Sequence, residues 1–308
     1  MDTSIRASGT ARSRARRADA SRWAGGGQGS TREWQRVLRR LGHSRRGLAG
    51  VAIVLALGTV ALAADAFAPY SPYAIDSTLR GASPSGAHLL GVDQVGRDEL
   101  SRLIHGARVS MLVGVLATSL AVVVGTAVGL LAGSGRGWLD AILMRSVDGL
   151  QSVPILVLLI ASAAVLGPSL QSAIAIIGLT GWTLFARLVR ADVMSLRERE
   201  FVLAARATGA SNSRILLGHV LPNVLGPVVV LASQSIPSVI LLESALSFLG
   251  LGAQPPTAAW GSMVADGRTY LLTYPHIALF PGMAITLAVL GFNLLGDGLR
   301  DALDPRIR

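Results

Sequence analysis

Residues 109–133 read VSMLVGVLATSLAVVVGTAVGLLAG and contain no charged side chain. A helix needs roughly 20 mainly apolar residues to cross about 30 Å of hydrocarbon at about 1.5 Å per residue. The stretch therefore predicts a membrane-spanning helix, because backbone polar groups in lipid must hydrogen-bond within their own segment. Five further apolar runs predict spans of the same kind, at residues 47–67, 150–167, 169–189, 223–242 and 276–296.

The overall composition agrees with an all-α membrane protein of six transmembrane helices. Hydrophobic residues make up 51% of the chain and charged residues 15%, whereas soluble domains carry about 25% charged residues. Lysine and cysteine are both absent, so the chain has neither the lysine of a nucleotide-binding P-loop nor thiolates for a disulfide or a metal. The five histidines are scattered along the sequence. We therefore expect no metal site and no cofactor on this chain.

Residues 1–46 form a polar segment that contains twelve arginines. Such a segment buries too little apolar surface to order itself, and we expect a disordered cytoplasmic tail. It suits either an arm that binds nucleic acid or a tail that holds to anionic lipid and sets the topology. The second interpretation is favoured, because only Trp23 and Trp34 place aromatic rings among the arginines. Nucleic acid is therefore not expected as a partner.

The distribution of arginine predicts the orientation of the spans. Cytoplasmic loops carry an excess of basic residues. If the N-terminus is cytoplasmic, 23 of the 28 arginines lie on the cytoplasmic side. The remaining five lie outside, and the reversed orientation would contradict the rule. With six spans, both termini are then cytoplasmic, and residues 47–308 form the transmembrane domain.

The connection at residues 197–222 joins the fourth and fifth predicted spans on the cytoplasmic side. Gly209 predicts a break between two short helices there, since glycine adopts backbone conformations that other residues avoid. Pro222 is expected in the first turn of the next helix, where its missing N–H does little harm. Small residues leave a face that another surface can approach closely, at positions 204, 205, 207, 209 and 210.

This connection resembles the cytoplasmic EAA loop of ABC importer permeases, which reads Glu-Ala-Ala, three residues, Gly and later Leu-Pro. The matching positions are Ala204, Ala205, Gly209, Leu221 and Pro222. Leu203 stands where the family has Glu, and Glu200 lies one turn earlier on roughly the same helical face. The resemblance implies that the segment couples the permease to an ATPase subunit. The implied coupling residues are Glu200, Ala204, Ala205, Gly209, Ala210, Ile215 and Pro222.

Three further blocks resemble the second permease subunit of importers for dipeptides, oligopeptides and nickel. They read LGVDQVGRDELSRLIHGARVS at 90–110, ALSFLGLGAQPPTAAWG at 245–261 and NLLGDGLRDALDPR at 293–306. The resemblance implies a type I ABC importer permease fold in the plasma or inner membrane of a bacterium. It also implies a second homologous permease, two ATPase subunits that bind ATP and Mg, and an extracytoplasmic substrate-binding protein. Whether the substrate is a peptide, a nickel complex or another solute stays open.

Polar residues inside the predicted spans are candidates for the wall of the translocation path. Such groups usually face protein or water, because exposing them to lipid is costly. Gln234 and Asn293 suit either a path lining or a hydrogen bond between helices. For Glu243 and Asp297, a bond between helices or an anchor at the interface is favoured. Small-xxx-small spacing predicts close helix packing at Gly125, Gly129 and Gly133.

Two other classes of protein are alternatives to an importer subunit. A membrane enzyme would carry a motif such as HExxH or GxSxG, and the sequence contains neither. We therefore assign no catalytic residue and expect no enzymatic activity in this chain. A channel or secondary transporter would need no ATPase partner, and the segment at 197–222 argues against it.

Overall fold

Helices make up nearly all the regular structure in residues 39–135 and 137–303, the part of the chain that the computed structural model describes. No strand occurs among these residues, where one isolated bridge pairs Val92 with Asp98. Most of the predicted N-terminal tail lies outside the described residues. The α-helices are α1 (Arg45–Leu62), α2 (Ala64–Phe67), α3 (Glu99–Ser134), α4 (Trp138–Gln151), α5 (Ile155–Leu166), α6 (Leu170–Arg197), α7 (Glu200–Ala207), α8 (Asn212–Ile215), α9 (Leu221–Phe248), α10 (Trp260–Gly267) and α11 (His276–Leu303).

Five helical segments in the described residues are long and apolar enough to cross a membrane, and a bent pair makes a sixth candidate. The five contain α1, α3, α6, α9 and α11. The predicted all-α membrane fold is thereby confirmed. The sixth candidate combines α4 with α5, whose axes differ by 86°. Because α5 has only 12 residues, it extends about 18 Å and is shorter than a usual span.

The helix α3 contains the apolar run at 109–133 and begins ten residues before it, at Glu99. Asp98 caps α3, because its side chain accepts a hydrogen bond from the backbone N–H of Ser101 at 2.8 Å. The helix therefore extends beyond residues 109–133 into the connection that follows α2. With 36 residues, α3 is longer than the roughly 20 residues that a span requires.

Three glycines of α3, Gly125, Gly129 and Gly133, form a seam along which α3 packs closely on α6. A Cβ atom placed on Gly129 would lie 2.6 Å from the Cβ of Val189, and one on Gly133 would lie 2.6 Å from the Cβ of Val193. Gly125 faces the carbonyl oxygen of Trp182 just as closely. The small-residue spacing seen in the sequence thus marks a surface where two helix backbones meet.

The connection between α2 and α3 is fixed by buried charges. Asp93 accepts three backbone N–H bonds through Oδ1, while its Oδ2 accepts from Arg97 Nε at 2.6 Å and lies 3.5 Å from Arg102 Nε. Arg102 is only 3% exposed, so it depends on this carboxylate for compensation. Asp98 also contacts His88, with 2.8 Å between Oδ1 and Nδ1. The block at 90–110 therefore builds a rigid cap on α3.

Candidate functional site

The segment from α7 to α9 contains the helix break predicted at Gly209. Gly209 has a φ of +83°, a left-handed conformation that favours glycine. The N–H of Ala210 donates to the Ala205 carbonyl at 3.1 Å, and the N–H of Gly209 donates to that of Arg206 at 3.0 Å. These two bonds form a Schellman motif, which ends α7 and turns the chain into α8.

The second short helix continues through Pro222 without a break. A π-helical turn at Leu216–Val220 joins α8 to α9, and the N–H of Leu221 donates to the Leu216 carbonyl across it. Pro222 follows in the first turn of α9. Widening the helix by one residue per bond gives the proline ring room, so α8 and α9 form one continuous rod.

One face of the segment is anchored in the core. Val202 and Ile215 are buried in an apolar cluster with Val189 and Val193 of α6 and with Val224 of α9. The partly buried Ala205 and Ala210, at the two ends of the Schellman motif, pack against the same cluster. Because this cluster also contains residues of α3, a displacement of α7 would move side chains that pack on α3, α6 and α9.

The opposite face of α7 is open. Glu200, Leu203, Ala204 and Ala207 are all exposed, at the spacing of one helical face. Leu203 is 50% exposed, and Leu217 on the following π turn is 61% exposed. Sequence reasoning assigned Glu200 and Ala204 to this surface but gave no role to the two leucines. Because Val202 and Ile215 point into the core, Leu203 and Leu217 point away from it and lie on the exposed surface.

The candidate coupling residues divide between these two faces. Glu200, Ala204, Gly209 and Pro222 are exposed, whereas Ile215 is buried and the two alanines of the Schellman motif are partly buried. Their arrangement combines a rigid base with an accessible outer surface. Such a surface suits docking of another protein surface.

The two amides considered for a path lining lie on neighbouring helices. Gln234 of α9 packs on Gly296 of α11, where a Cβ would come within 2.9 Å of the Gln234 Cγ. Asn293 lies one turn before Gly296 and is exposed. Neither amide makes a hydrogen bond within the described part of the chain. The structure brings the helices together but leaves both side chains without a polar partner.

Glu243 occupies a different environment. It is fully buried on α9, where its carboxylate accepts from Ser247 Oγ at 2.7 Å and from Ser110 Oγ of α3 at 3.4 Å. The second contact joins two spans. This arrangement is the hydrogen bond between helices that the sequence favoured for Glu243. Asp297 is exposed near the end of α11.

Two ion pairs hold the amphipathic helix α4 against α6. Arg190 binds the carboxylate of Asp140 through Nε at 2.5 Å and Nη2 at 2.7 Å, and Arg187 Nη2 lies 2.6 Å from Asp148 Oδ1. The partners in these two pairs lie 50 and 39 residues apart in the sequence. Within the described residues, no group of three His, Asp or Glu side chains is placed to hold a metal ion.

Comparison with known proteins identifies the family. Residues 125–308 match the model for the binding-protein-dependent transport system inner membrane component. The chain belongs to this family. Residues 33–84 also match the N-terminal transmembrane domain of oligopeptide transport permease C. This permease is therefore a multi-pass inner-membrane transport subunit, and the family predicted from the sequence is confirmed.

Curated relatives and one solved structure agree with this assignment. The permease is 42% identical over 275 residues to the dipeptide transport system permease protein DppC of Alkalihalophilus pseudofirmus, covering 89% of this chain and 90% of that protein. It is 40% identical to the glutathione transport system permease protein GsiD of Pectobacterium atrosepticum, covering 89% and 92%. A chain of the inward-facing MetNI methionine ABC transporter matches with a TM-score of 0.54 at 19% identity, covering 66% of this permease and 97% of that chain. The last comparison supports the fold.

Proposed function

We propose that this permease forms half of the translocation path of an ATP-driven importer for short peptides. The names of its relatives support the substrate class, since they are permeases of dipeptide and glutathione transport systems and of a probable D,D-dipeptide transport system. A second homologous permease would complete the path. Two ATPase subunits and an extracytoplasmic binding protein would complete the importer, and ATP and Mg would bind to the ATPase subunits.

The single observation that carries the coupling role is the two-faced segment at 197–222. Its inner face is locked to α6 and α9 through Val202 and Ile215, while Glu200, Leu203 and Ala204 remain accessible. A partner that grips the accessible face moves the whole rod that continues into α9. Movement of the ATPase subunits would thus tilt the spans that line the path.

The contact at position 203 differs chemically from the family pattern. The half-exposed Leu203 replaces the family's glutamate, and the more exposed Leu217 lies beyond the turn. Neither side chain can form an ion pair, so contact at these two positions is apolar. Glu200 and Arg206 are the exposed charged residues of α7.

Gln234 and Asn293 are the side chains that we assign to the path. Each lies on a helix that spans the membrane and has no hydrogen-bond partner among the described residues. Amides of this kind suit the peptide backbone, because an amide group both donates and accepts hydrogen bonds. Replacement by leucine would remove that capacity.

Reconstitution tests whether ATP hydrolysis belongs to separate ATPase subunits and not to this permease. The purified subunit in nanodiscs should hydrolyse no ATP and show no nucleotide-dependent thermal shift. Addition of its ATPase subunits and the second permease should produce hydrolysis that rises with peptide-loaded binding protein. A transport assay with dipeptides and with nickel complexes would identify the cargo. ATPase activity that stays with the isolated subunit through further purification would contradict the proposal.

A further inference from the structure

A wedge-shaped groove opens between α1, α3 and α11. At its Arg45 end, α1 lies against α11, with Gly50 packed on the backbone of Leu295. Toward its other end α1 is held by α3 instead, because Arg108 Nε donates to the Ala61 carbonyl at 3.0 Å. The divergence leaves a cavity of about 510 Å³, whose lining includes Leu57, Val60, Ile104, Trp260, Leu287 and Leu290.

The lining offers only apolar contact. Its two polar side chains are already satisfied, since Trp260 Nε1 donates to the Leu103 carbonyl and Thr286 Oγ1 to that of Gly282, both at 2.9 Å. Met283 and Leu287 remain 57% and 45% exposed. The part of an occupant that enters the groove must therefore be apolar, as a hydrocarbon chain is.

The size of the lining side chains distinguishes a lipid from a helix. The permease's own close helix contacts use glycine, as at Gly129 on α3 and Gly50 on α1. Small residues let helix backbones approach in a membrane. The groove is lined mainly by large leucine, isoleucine, methionine and aromatic side chains beside Ala107 and Ala284, and no glycine contributes to the lining. Such a lining suits a flexible hydrocarbon chain better than the close approach of a second helix.

A pair of opposite charges lies at the rim. Asp65 follows α1 and accepts from Arg108 Nη2 at 2.9 Å and contacts His105 Nε2 at 3.1 Å. Hydrogen bonds from Arg108 and then from His105 lower the pKa of the Asp65 carboxyl, so it stays ionised at neutral pH. Ile104 and Ala107, the residues that immediately precede His105 and Arg108 on α3, line the groove.

We propose that this groove binds one phospholipid with a zwitterionic headgroup. An acyl chain fills the wedge, the phosphate contacts Arg108, and the headgroup ammonium contacts Asp65, which is 78% exposed. The site lies at the end of α1 that is remote from the proposed coupling segment at 197–222. Lipid in this position would brace α1 against α3 where α1 has left α11. The inference does not depend on which solute the importer carries.

Native mass spectrometry of the purified permease in mild detergent tests the groove. The parent should retain one phosphatidylethanolamine after delipidation. Ala284→Trp, which fills the groove, should lose it. Ala164→Trp makes the same change on the exposed surface of α5 and should keep the lipid. Equal retention by the two variants would overturn the proposal.

Two further measurements distinguish lipid from protein and test the rim. A photo-crosslinker at position 287 in the assembled importer should form a lipid adduct, and a protein adduct there would overturn the proposal. Asp65→Asn leaves Arg108 without its carboxylate. Binding of phosphatidylglycerol relative to phosphatidylethanolamine should then rise about fivefold, as expected for one unpaired cation at a membrane surface. An unchanged ratio would contradict the assigned headgroup contacts.

Discussion

At the scale of single residues, Gly209 and Gly218 form an informative pair. Both are exposed glycines of the proposed coupling segment at 197–222, and neither would bring a Cβ within 4 Å of another part of the chain. Only Gly209 has a positive φ, at +83°. The same substitution at both positions adds equal bulk, but only at Gly209 does it also strain the backbone. A difference between the two variants therefore reports backbone strain.

We expect Gly209→Val to abolish most uptake while the permease still reaches the membrane. A β-branched residue in the left-handed region costs about 1 to 2 kcal/mol or more, which would open the Schellman motif and shift α7. Gly209→Asn should retain intermediate uptake, because asparagine tolerates this conformation. Gly218→Val is the matched control. Uptake assays at equal membrane abundance decide the matter, and parental uptake by Gly209→Val would show that the segment does not couple.

At the scale of helices, the α3–α6 seam determines how the coupling segment is supported. Phe185, Val189 and Val193 of α6 belong to the same apolar cluster that buries Val202 and Ile215. The seam glycines let α6 approach α3 closely enough to place this cluster. The stability of this cluster and the position of α7 are therefore linked.

Gly129→Val should destabilise the permease by about 1 to 3 kcal/mol, the usual cost of overpacking a tight interior. A Cβ at this position would lie 2.6 Å from the Cβ of Val189 and 2.8 Å from the Ala186 carbonyl oxygen. Gly282→Val is a control in another spanning helix, where a Cβ meets nothing within 4 Å. Thermal unfolding in detergent compares the two, and similar midpoints would mean that the seam can relax.

At the scale of the whole molecule, the absence of cysteine makes the topology directly measurable. We expect single Cys replacements at Ala74 and Gln254 to react with an impermeant thiol reagent in intact spheroplasts. Replacements at Ser211 and Asp301 should react only after permeabilisation, because we expect the arginine-rich side to be cytoplasmic. All four positions are exposed, so folding itself does not block the reagent. Labelling of Ser211 in intact spheroplasts would reverse the proposed orientation.

The sequence alone determined those features that depend on neighbouring residues. Apolar runs predicted α1, α3, α6, α9 and α11, since each span must satisfy its own backbone in lipid, whereas the run at 150–167 is divided between α4 and α5. Gly209 located the break before α8, because its conformation is a local property of glycine. The spacing of Gly125, Gly129 and Gly133 indicated a close helix contact, although it did not name the partner.

Only the tertiary structure decided which distant groups meet. It paired Asp140 with Arg190, bent α4 against α5 by 86°, and separated the exposed Leu203 from the buried Val202. It also opened the groove beside α1, which exists because that helix contacts α11 at one end and α3 at the other. Hydropathy reports whether a residue prefers lipid or water, but it cannot tell a lipid-facing leucine from one that faces a partner. That choice depends on the packing of helices far apart in the chain.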